Sequence, residues 1–432
     1  MSVIRHIELL LGLLTLLLFW PSQRLYGQNT EMTILTESGR YEAMADAGCA
    51  LTSGIESFVL NPSGLADVDG VEFGLSFTPA LYRYELLNVR HEPTVTASRL
   101  FRWQKGHIGL GSLLLVCPVS DRVSMGLGFS RSCNPFLFNY FRAITWSPLF
   151  EQTTDGGLFD LGLAIGARFG RHIGLGFKAV YCSGQYESHV QGDNHGVDRE
   201  KWATLTQSLS GFGALLGARF QTGNLHAGAT VRFNSPLQVT VRPAISADQK
   251  YAYLFPDYTR MRWSFPVVAV LGLAYYITQQ TVMTVDFESQ FFSASPLQVN
   301  LFEYNGRPDW HRVQILRCGV QSLLAGRNQL PLRMGYARIP QQYAAVNAFG
   351  VQNTIREVEF RSRNIRHQIS AGSGIEKGQL SIDGSMTYAW IKSRRNFQTR
   401  IRITDQFIEK DFQCSIQIRY SLQRQFRTRS IT

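Results

Sequence analysis

The chain has no apolar run of the ~20 residues that a membrane-crossing helix needs; the run from Leu9 to Trp20 falls short of it. Cysteine is scarce and scattered. Cys49, Cys117, Cys133, Cys182, Cys318 and Cys414 show no metal-ligand spacing and no framework of close pairs, so neither a zinc site nor a disulfide scaffold is implied. Cys318 and Cys414 sit among apolar neighbours, where a thiol acts as a small hydrophobe. Blocks of like charge are absent too. The 43 Lys and Arg exceed the 32 Asp and Glu but are spread along the chain, which argues against a nucleic-acid partner and suits an anionic membrane surface. The Gly-x-Gly pairs Gly109/Gly111, Gly126/Gly128 and Gly174/Gly176 never extend to Gly-x-Gly-x-x-Gly, and no Gly-x-Ser-x-Gly turn occurs. Nothing calls for a cofactor, a metal or a catalytic centre. Ser188, His189, Asp193, His195 and Asp198 lie close in sequence, but Glu187, Arg199, Glu200 and Lys201 surround them, so they read as a solvated polar loop.

Residues 1–27 read as a secretory signal peptide: Arg5 gives the basic start, Leu9 to Trp20 the short apolar core, and Leu25-Tyr26-Gly27 the cleavage region. The next part, 28–70, is too broken to be a domain and too apolar to be a free tail. Met44, Ala47, Leu51, Ile55, Phe58, Val59 and Leu60 need burial, while Gly48, Gly54, Pro62 and Gly64 interrupt any long helix or strand. In Asn61-Pro62-Ser63-Gly64-Leu65 the proline fixes φ and Gly64 is expected at positive φ, giving a rigid turn with apolar residues on both sides. Such a stretch is expected to plug a closed sheet.

From Gly70 onward the hydrophobic period is two. Phe159, Leu161, Leu163, Ile165 and Phe169 alternate with Asp160, Gly162, Ala164, Gly166 and Arg168. Near the C-terminus, Phe412, Cys414, Ile416, Ile418, Tyr420 and Leu422 alternate with Gln413, Ser415, Gln417, Arg419 and Ser421. Alternation of this kind fits any half-buried antiparallel sheet. Connection lengths separate the possibilities. Tight turns follow Phe169, Phe220, Ile277 and Glu376, and stretches of roughly 20 to 30 residues lie between, near Pro148, His195, Asp248, Pro308, Asn347 and Arg400. Short turns at one end and long loops at the other define an outer-membrane barrel. Fifteen candidate strands can be drawn over 71–426, and fourteen if 94–103 is the outer part of a strand ending at Val116. Fourteen satisfies the even count of a closed single-chain barrel, puts both termini in the periplasm and leaves 427–432 as a short tail. Glycines two apart share one face; if that face looks inward, they make room for a plug.

Several of these residues carry a resemblance. Gly39-Arg40, the small run Ala43-Met44-Ala45-Asp46-Ala47-Gly48, and Asn61-Pro62-Ser63-Gly64-Leu65-Ala66 resemble the N-terminal segment of the FadL-type outer-membrane barrels. The family pattern has Met-Gly-Gly where this chain has Met44-Ala45-Asp46, and Asn-Pro-Ala-Gly where it has Asn61-Pro62-Ser63-Gly64. Trp263-Ser264-Phe265-Pro266, Leu271 to Tyr276, Val285 to Glu288 and Pro331 to Tyr336 are similar to barrel strands of the same family. The resemblance implies a barrel of fourteen strands with an internal plug, passing long-chain fatty acids or other hydrophobic small molecules without enzymatic chemistry. A related possibility is a PorV-type barrel, similar in fold but handling secreted proteins or other components of the type IX secretion system.

These readings place plug and gating residues at Gly39, Arg40, Met44, Phe58, Asn61, Pro62, Gly64 and Leu65. Aromatic stretches between strands, with Phe136, Phe138, Tyr140, Phe141, Tyr253 and Phe255, are candidate entry loops for an apolar ligand. Lumen-side charges such as Asp160, Lys178, Arg219, Asp286 and Asp383 are expected to pair across the interior or with the plug. The expected surroundings are outer-membrane lipid and lipopolysaccharide.

Overall fold

The computed structural model describes residues 33–34, 38–91, 95–134, 138–141, 149–194, 197–245, 259–263, 265–291, 308–310, 312–324, 330–340, 343–346, 357–360, 364–398 and 402–423. Residues 1–32 and 424–432 lie outside this set.

Fourteen antiparallel strands close on themselves as a barrel. They are β1 (Gly70–His91), β2 (Val95–Pro118), β3 (Val123–Asn134), β4 (Leu149–Phe169), β5 (Ile173–Asn194) and β6 (Val197–Thr222). Next come β7, in two pieces (Leu225–Asn234 and Leu237–Ile245), and β8, also in two (Thr259–Trp263 and Val267–Tyr276). Then follow β9 (Thr281–Phe291), β10 (Arg312–Leu324), β11 (Leu330–Pro340), β12 (Ile365–Lys377), β13 (Leu380–Gln398) and β14 (Arg402–Gln423). Each strand pairs with its neighbours in sequence, and β1 closes on β14 from Gly70↔Gln423 to His91↔Ile403. Closure matters because an open edge in lipid would leave backbone groups unpaired at several kcal/mol each.

The alternation read from the sequence sets the faces. On β4, Leu161 is 54% exposed and Leu163 52%, while Asp160 between its apolar neighbours is 2% exposed. Ile173, Leu175, Phe177 and Tyr181 of β5 point out, and Lys178 and Val180 are buried inside. The outer wall is therefore an apolar belt, and the inner wall is polar or glycine-rich. Residues 95–103 do belong to one long strand, β2, which ends at Pro118.

Two expectations change. The loops near His195 and Arg400 are not long: β5 and β6 run 22 and 26 residues and leave only 195–196 between them, and β13 and β14 leave only 399–401. A spanning strand needs ~9–11 residues, so these hairpins continue well past the apolar belt. There one face no longer meets lipid, so the apolar alternation of the sequence weakens, while Tyr186, Ala203 and Leu205 stay buried on the inner face and His189 reaches Thr204 across the ladder. Accordingly Ser188, His189 and Asp193 lie on β5 and Asp198 on β6, with His189 opposite Thr204 and Asp193 opposite Arg199. They form a ladder rather than a polar loop, and His195 lies outside the described residues. The second change concerns Phe138, Tyr140 and Phe141. They belong to a short strand, Phe138–Phe141, laddered to Phe150–Thr153 of β4. Phe136, Tyr253 and Phe255 lie outside the described residues.

Candidate functional site

Residues 38–69 lie inside the barrel as a chain of short turns: a helical turn at Gly39–Glu42 and two 3-10 segments, Gly54–Phe58 and Pro62–Asp67. Glycine and proline spacing forbids anything longer. Two apolar clusters hold the segment. Ile55, Phe58, Leu65 and Val68 pack on Leu114, Val116 and Ala164, with Val59 against them; Tyr41, Met44, Ala50 and Leu51 pack on Ala274 and Val282, with Leu60 alongside. Val59 and Leu60, adjacent in sequence, thus serve opposite sides of the interior.

The wall meets this segment nearly all the way round through positions that lack a side chain. A Cβ on Gly126 of β3 would lie 2.9 Å from the Phe58 ring, and one on Gly166 of β4 would lie 2.8 Å from Leu65. On β10 a Cβ at Gly319 would come within 2.7 Å of Met44, and on β12 one at Gly372 within 2.6 Å of Ala43. Gly176 of β5 and Gly335 of β11 are packed directly on the backbone of Pro62 and Met44. The inward glycines therefore provide close approach, as expected for Gly126/Gly128 and Gly174/Gly176.

Polar anchors add direction to this packing. The Asp286 carboxylate of β9 accepts hydrogen bonds from the Gly48 and Cys49 backbone N–H groups at 2.9 and 2.8 Å. Thr284 donates to the Ala47 carbonyl at 2.7 Å. Arg219 of β6 donates to the Thr52 carbonyl at 2.6 Å and pairs with Asp67, and Arg419 of β14 pairs with Glu56 at 3.7 Å. The Asn61 amide donates to the Cys49 carbonyl at 2.8 Å and to the Ala218 carbonyl at 3.2 Å. Its side-chain oxygen accepts from the Ser63 N–H and hydroxyl, capping the 3-10 turn that Pro62 begins. Across the interior Asp160 pairs with Arg232 at 2.6 Å and Asp383 with Arg333 at 2.5 Å. Lys178 is used differently: its ammonium sits 4.2 Å from the centre of the Phe58 ring.

All eight sequence-selected residues of the segment come together inside the barrel. Met44, Phe58, Asn61 and Leu65 are fully buried. Gly39 approaches the wall at Asp383 and Gln417, and the Arg40 guanidinium lies 5.3 Å from the neighbouring Tyr41 ring. Gly64 departs from expectation. It is not at positive φ; a side chain there would collide with the Thr52 carbonyl and the Ser57 hydroxyl. Pro62 starts a 3-10 helix that carries Gly64 at helical φ, so the glycine is required by contact.

Sequence reasoning noted Ala45 and Asp46 as departures from a Gly-Gly pattern without seeing the consequence. Ala45 (φ 54°) and Asp46 (φ 63°) are the two non-glycine residues at positive φ among the described residues. Asp46 tolerates this region better than most side chains, and its charge lies near Arg317. Ala45 has no such compensation, so it stores backbone strain of ~1–2 kcal/mol. Cys49, a free thiol beside this turn, is buried, and burial followed by the Asp286 charge pushes its pKa up. It is a packing residue rather than a nucleophile. Among the described residues, no group of three or more His, Cys, Asp or Glu is placed to hold a metal.

The class thus defined is a closed transmembrane β-barrel with its N-terminal segment folded inside. Solved structures then identify the version of that architecture. The chain has the fold of a FadL homologue from Pseudomonas aeruginosa, with a TM-score of 0.62 over 91% of this chain and 99% of the other at 13% identity. The toluene transporter TodX of Pseudomonas putida matches with a TM-score of 0.60 over 89% and 98% at 12% identity. TbuX, a toluene transporter of Ralstonia pickettii, matches with 0.51 over 88% and 97% at 12% identity. No family model matches the sequence, and no curated protein does. At these identities the shared property is the FadL-type fold.

Proposed function

We propose that the protein is a passive outer-membrane channel for hydrophobic small molecules and that residues 38–69 keep it closed to water and polar solutes. The observation that carries this reading is the seal. The segment packs against inward glycines from β3 round to β12 and is hydrogen-bonded to the wall at Asp286, Thr284 and Arg219. A water-filled pore would reject an apolar ligand, whereas a barrel closed this way excludes water and polar solutes. The FadL-type fold supports the same reading, because TodX and TbuX with that fold are toluene transporters.

In this reading the tight turns and both termini face the periplasm, and the extended hairpins of β5–β6 and β13–β14 face outward. Gly39, Arg40, Met44, Phe58, Asn61, Pro62, Gly64 and Leu65 act as plug residues. The ligand class includes monoaromatic and long-chain aliphatic molecules. The test is reconstitution into liposomes. Wild-type protein should pass toluene or a fatty acid above the rate of empty vesicles and should exclude sugars in a swelling assay. Absence of apolar flux, or sugar permeation like that of an open pore, overturns the reading.

A further inference from the structure

Four neighbouring strands, β11 to β14, place a row of cations and aromatics at one height on the outer wall. Arg338 pairs with His367, His367 with Trp390, and Trp390 with Lys410. One step nearer the short turns the corresponding row is Tyr336, Ile369, Tyr388 and Phe412. Ile369 in this row, and Met334 and Met386 in the next one below, are exposed apolar wall, so the face is the lipid-facing one. Arg338 and Lys392, two residues beyond Trp390, are exposed.

Charge is separated across this wall. Asp383 and Asp411 face inward, paired with Arg333 and Arg366. The alternate, outward residues from Leu330 to Pro340, Ile365 to Lys377, Leu380 to Lys392 and Lys410 to Leu422 include no Asp or Glu. Within these four strands the outward cations have no acidic neighbour on their own face; on the flanking β1, Arg83 pairs with Lys410 and Glu85 with Ile408, two residues further on. The aromatic part is rigid: the His367 ring stacks on Trp390 at 5.5 Å, Trp390 on Tyr388 at 5.5 Å, and the Tyr336 hydroxyl is 2.8 Å from His367 Nδ1.

Height decides what such a row meets. From Leu380, at the start of β13, to Trp390 is ten residues, about 33 Å along the strand and roughly 25 Å of vertical rise at the usual tilt. That rise equals the apolar band of an outer-membrane barrel, so the row sits where hydrocarbon gives way to headgroups. An aromatic girdle accounts for Tyr336, Tyr388 and Trp390. It does not account for Arg338, Lys392 and Lys410 beside them, joined by Arg83 of β1 against a single carboxylate, Glu85, in the adjoining register.

We propose that this face binds the phosphorylated headgroup of the outer-leaflet glycolipid, with Arg338 and Lys410 meeting phosphates on either side of the Trp390 platform. Guanidinium and ammonium groups at the membrane edge suit phosphate oxygens. The two cations stand three strands apart, about 14 Å along the wall. That span matches a disaccharide carrying a phosphate at each end better than a single phosphodiester. The assignment to the outer leaflet rests on the orientation proposed above.

The test uses the full-length protein in detergent, incubated with lipid A and read by native mass spectrometry for retained lipid. Wild-type protein should retain lipid A, and R338Q/K410Q should retain at least tenfold less while keeping heat-modifiable gel mobility. The conservative R338K/K410R variant should retain it. Equal retention by R338Q/K410Q overturns the proposal. So does equal retention by wild type of dephosphorylated lipid A or of phosphatidylglycerol, or displacement of lipid A by millimolar inorganic phosphate. Orientation is tested separately with Gln279→Cys, in the tight turn between β8 and β9. An impermeant maleimide on intact cells should not label it above wild type. Labelling would overturn the orientation, and with it the outer-leaflet assignment, whatever the detergent experiment gives.

Discussion

At the scale of single residues, the interior segment is defined by where side chains are missing and where backbone is strained. Ala45 at positive φ predicts a gain on changing it to glycine. Ala45→Gly should relieve ~1–2 kcal/mol of strain and return part of it as unfolded-chain entropy, for a net gain of ~0.5–1 kcal/mol. The check is the temperature at which the folded band is lost on a detergent gel; a lower temperature for the glycine variant would contradict the strain. Gly64→Val tests the opposite case, since its Cβ would overlap the Thr52 carbonyl. That substitution should loosen the segment and raise sugar leak through reconstituted protein. Pro62→Ala, which frees φ and removes the ring atoms lying against Gly217, should cost at least ~0.4–1 kcal/mol and leave the barrel assembled. Cys49, buried and with its thiol pKa pushed up, should resist maleimide in the folded barrel and react once it is unfolded.

At the scale of the strand, the two faces obey different rules. Leu163 of β4 points to lipid, so arginine there should cost ~2–4 kcal/mol if the site lies near the bilayer midplane. Gly162, one residue earlier, points in. Its Cβ would lie 2.6 Å from Lys178 Cε and 3.0 Å from the Phe58 ring, so arginine should fail by collision with the plug. The distinction is measurable. Combining Gly162→Arg with Phe58→Ala should recover part of the loss, whereas Leu163→Arg with Phe58→Ala should recover none. Equal rescue of both would mean that the faces are misassigned. The strand scale also explains which lengths could be read. Inside the membrane, alternation marks each residue as in or out. Beyond it, the outer face of β5, β6, β13 and β14 no longer has to be apolar, so the alternation that marks a strand weakens and their extensions read as loops.

At the scale of the whole molecule, closure and plugging are separate properties. The barrel closes by the long β1–β14 ladder. The segment is fixed by packing together with the Asp286, Thr284, Arg219 and Asn61 hydrogen bonds. Asp286→Ala with Asn61→Ala should therefore leave an assembled, heat-modifiable barrel that leaks small solutes in a liposome-swelling assay. Loss of the barrel itself would show that the segment is part of the folding core.

The sequence alone determined the period-two faces and the internal segment, because these depend on local hydrophobic alternation and on an apolar stretch that cannot stand free; it offered fifteen candidate strands, and fourteen followed only from the even count that closure requires. It also marked Gly39, Met44, Phe58, Asn61, Pro62 and Leu65, since apolar residues punctuated by glycine and proline have to be buried without regular structure. Only the tertiary structure decided how these residues are held. Whether Gly64 is needed for φ or for contact depends on Thr52 and Ser57 lying against it, and the Gly-Gly departure at Ala45 and Asp46 becomes strain only once the backbone is placed. The Asp286, Lys178 and Arg219 anchors join positions more than a hundred residues apart. The outward row of Arg338, His367, Trp390 and Lys410 appears only when four strands are set in register, because side-chain height in a barrel is fixed by pairing between strands.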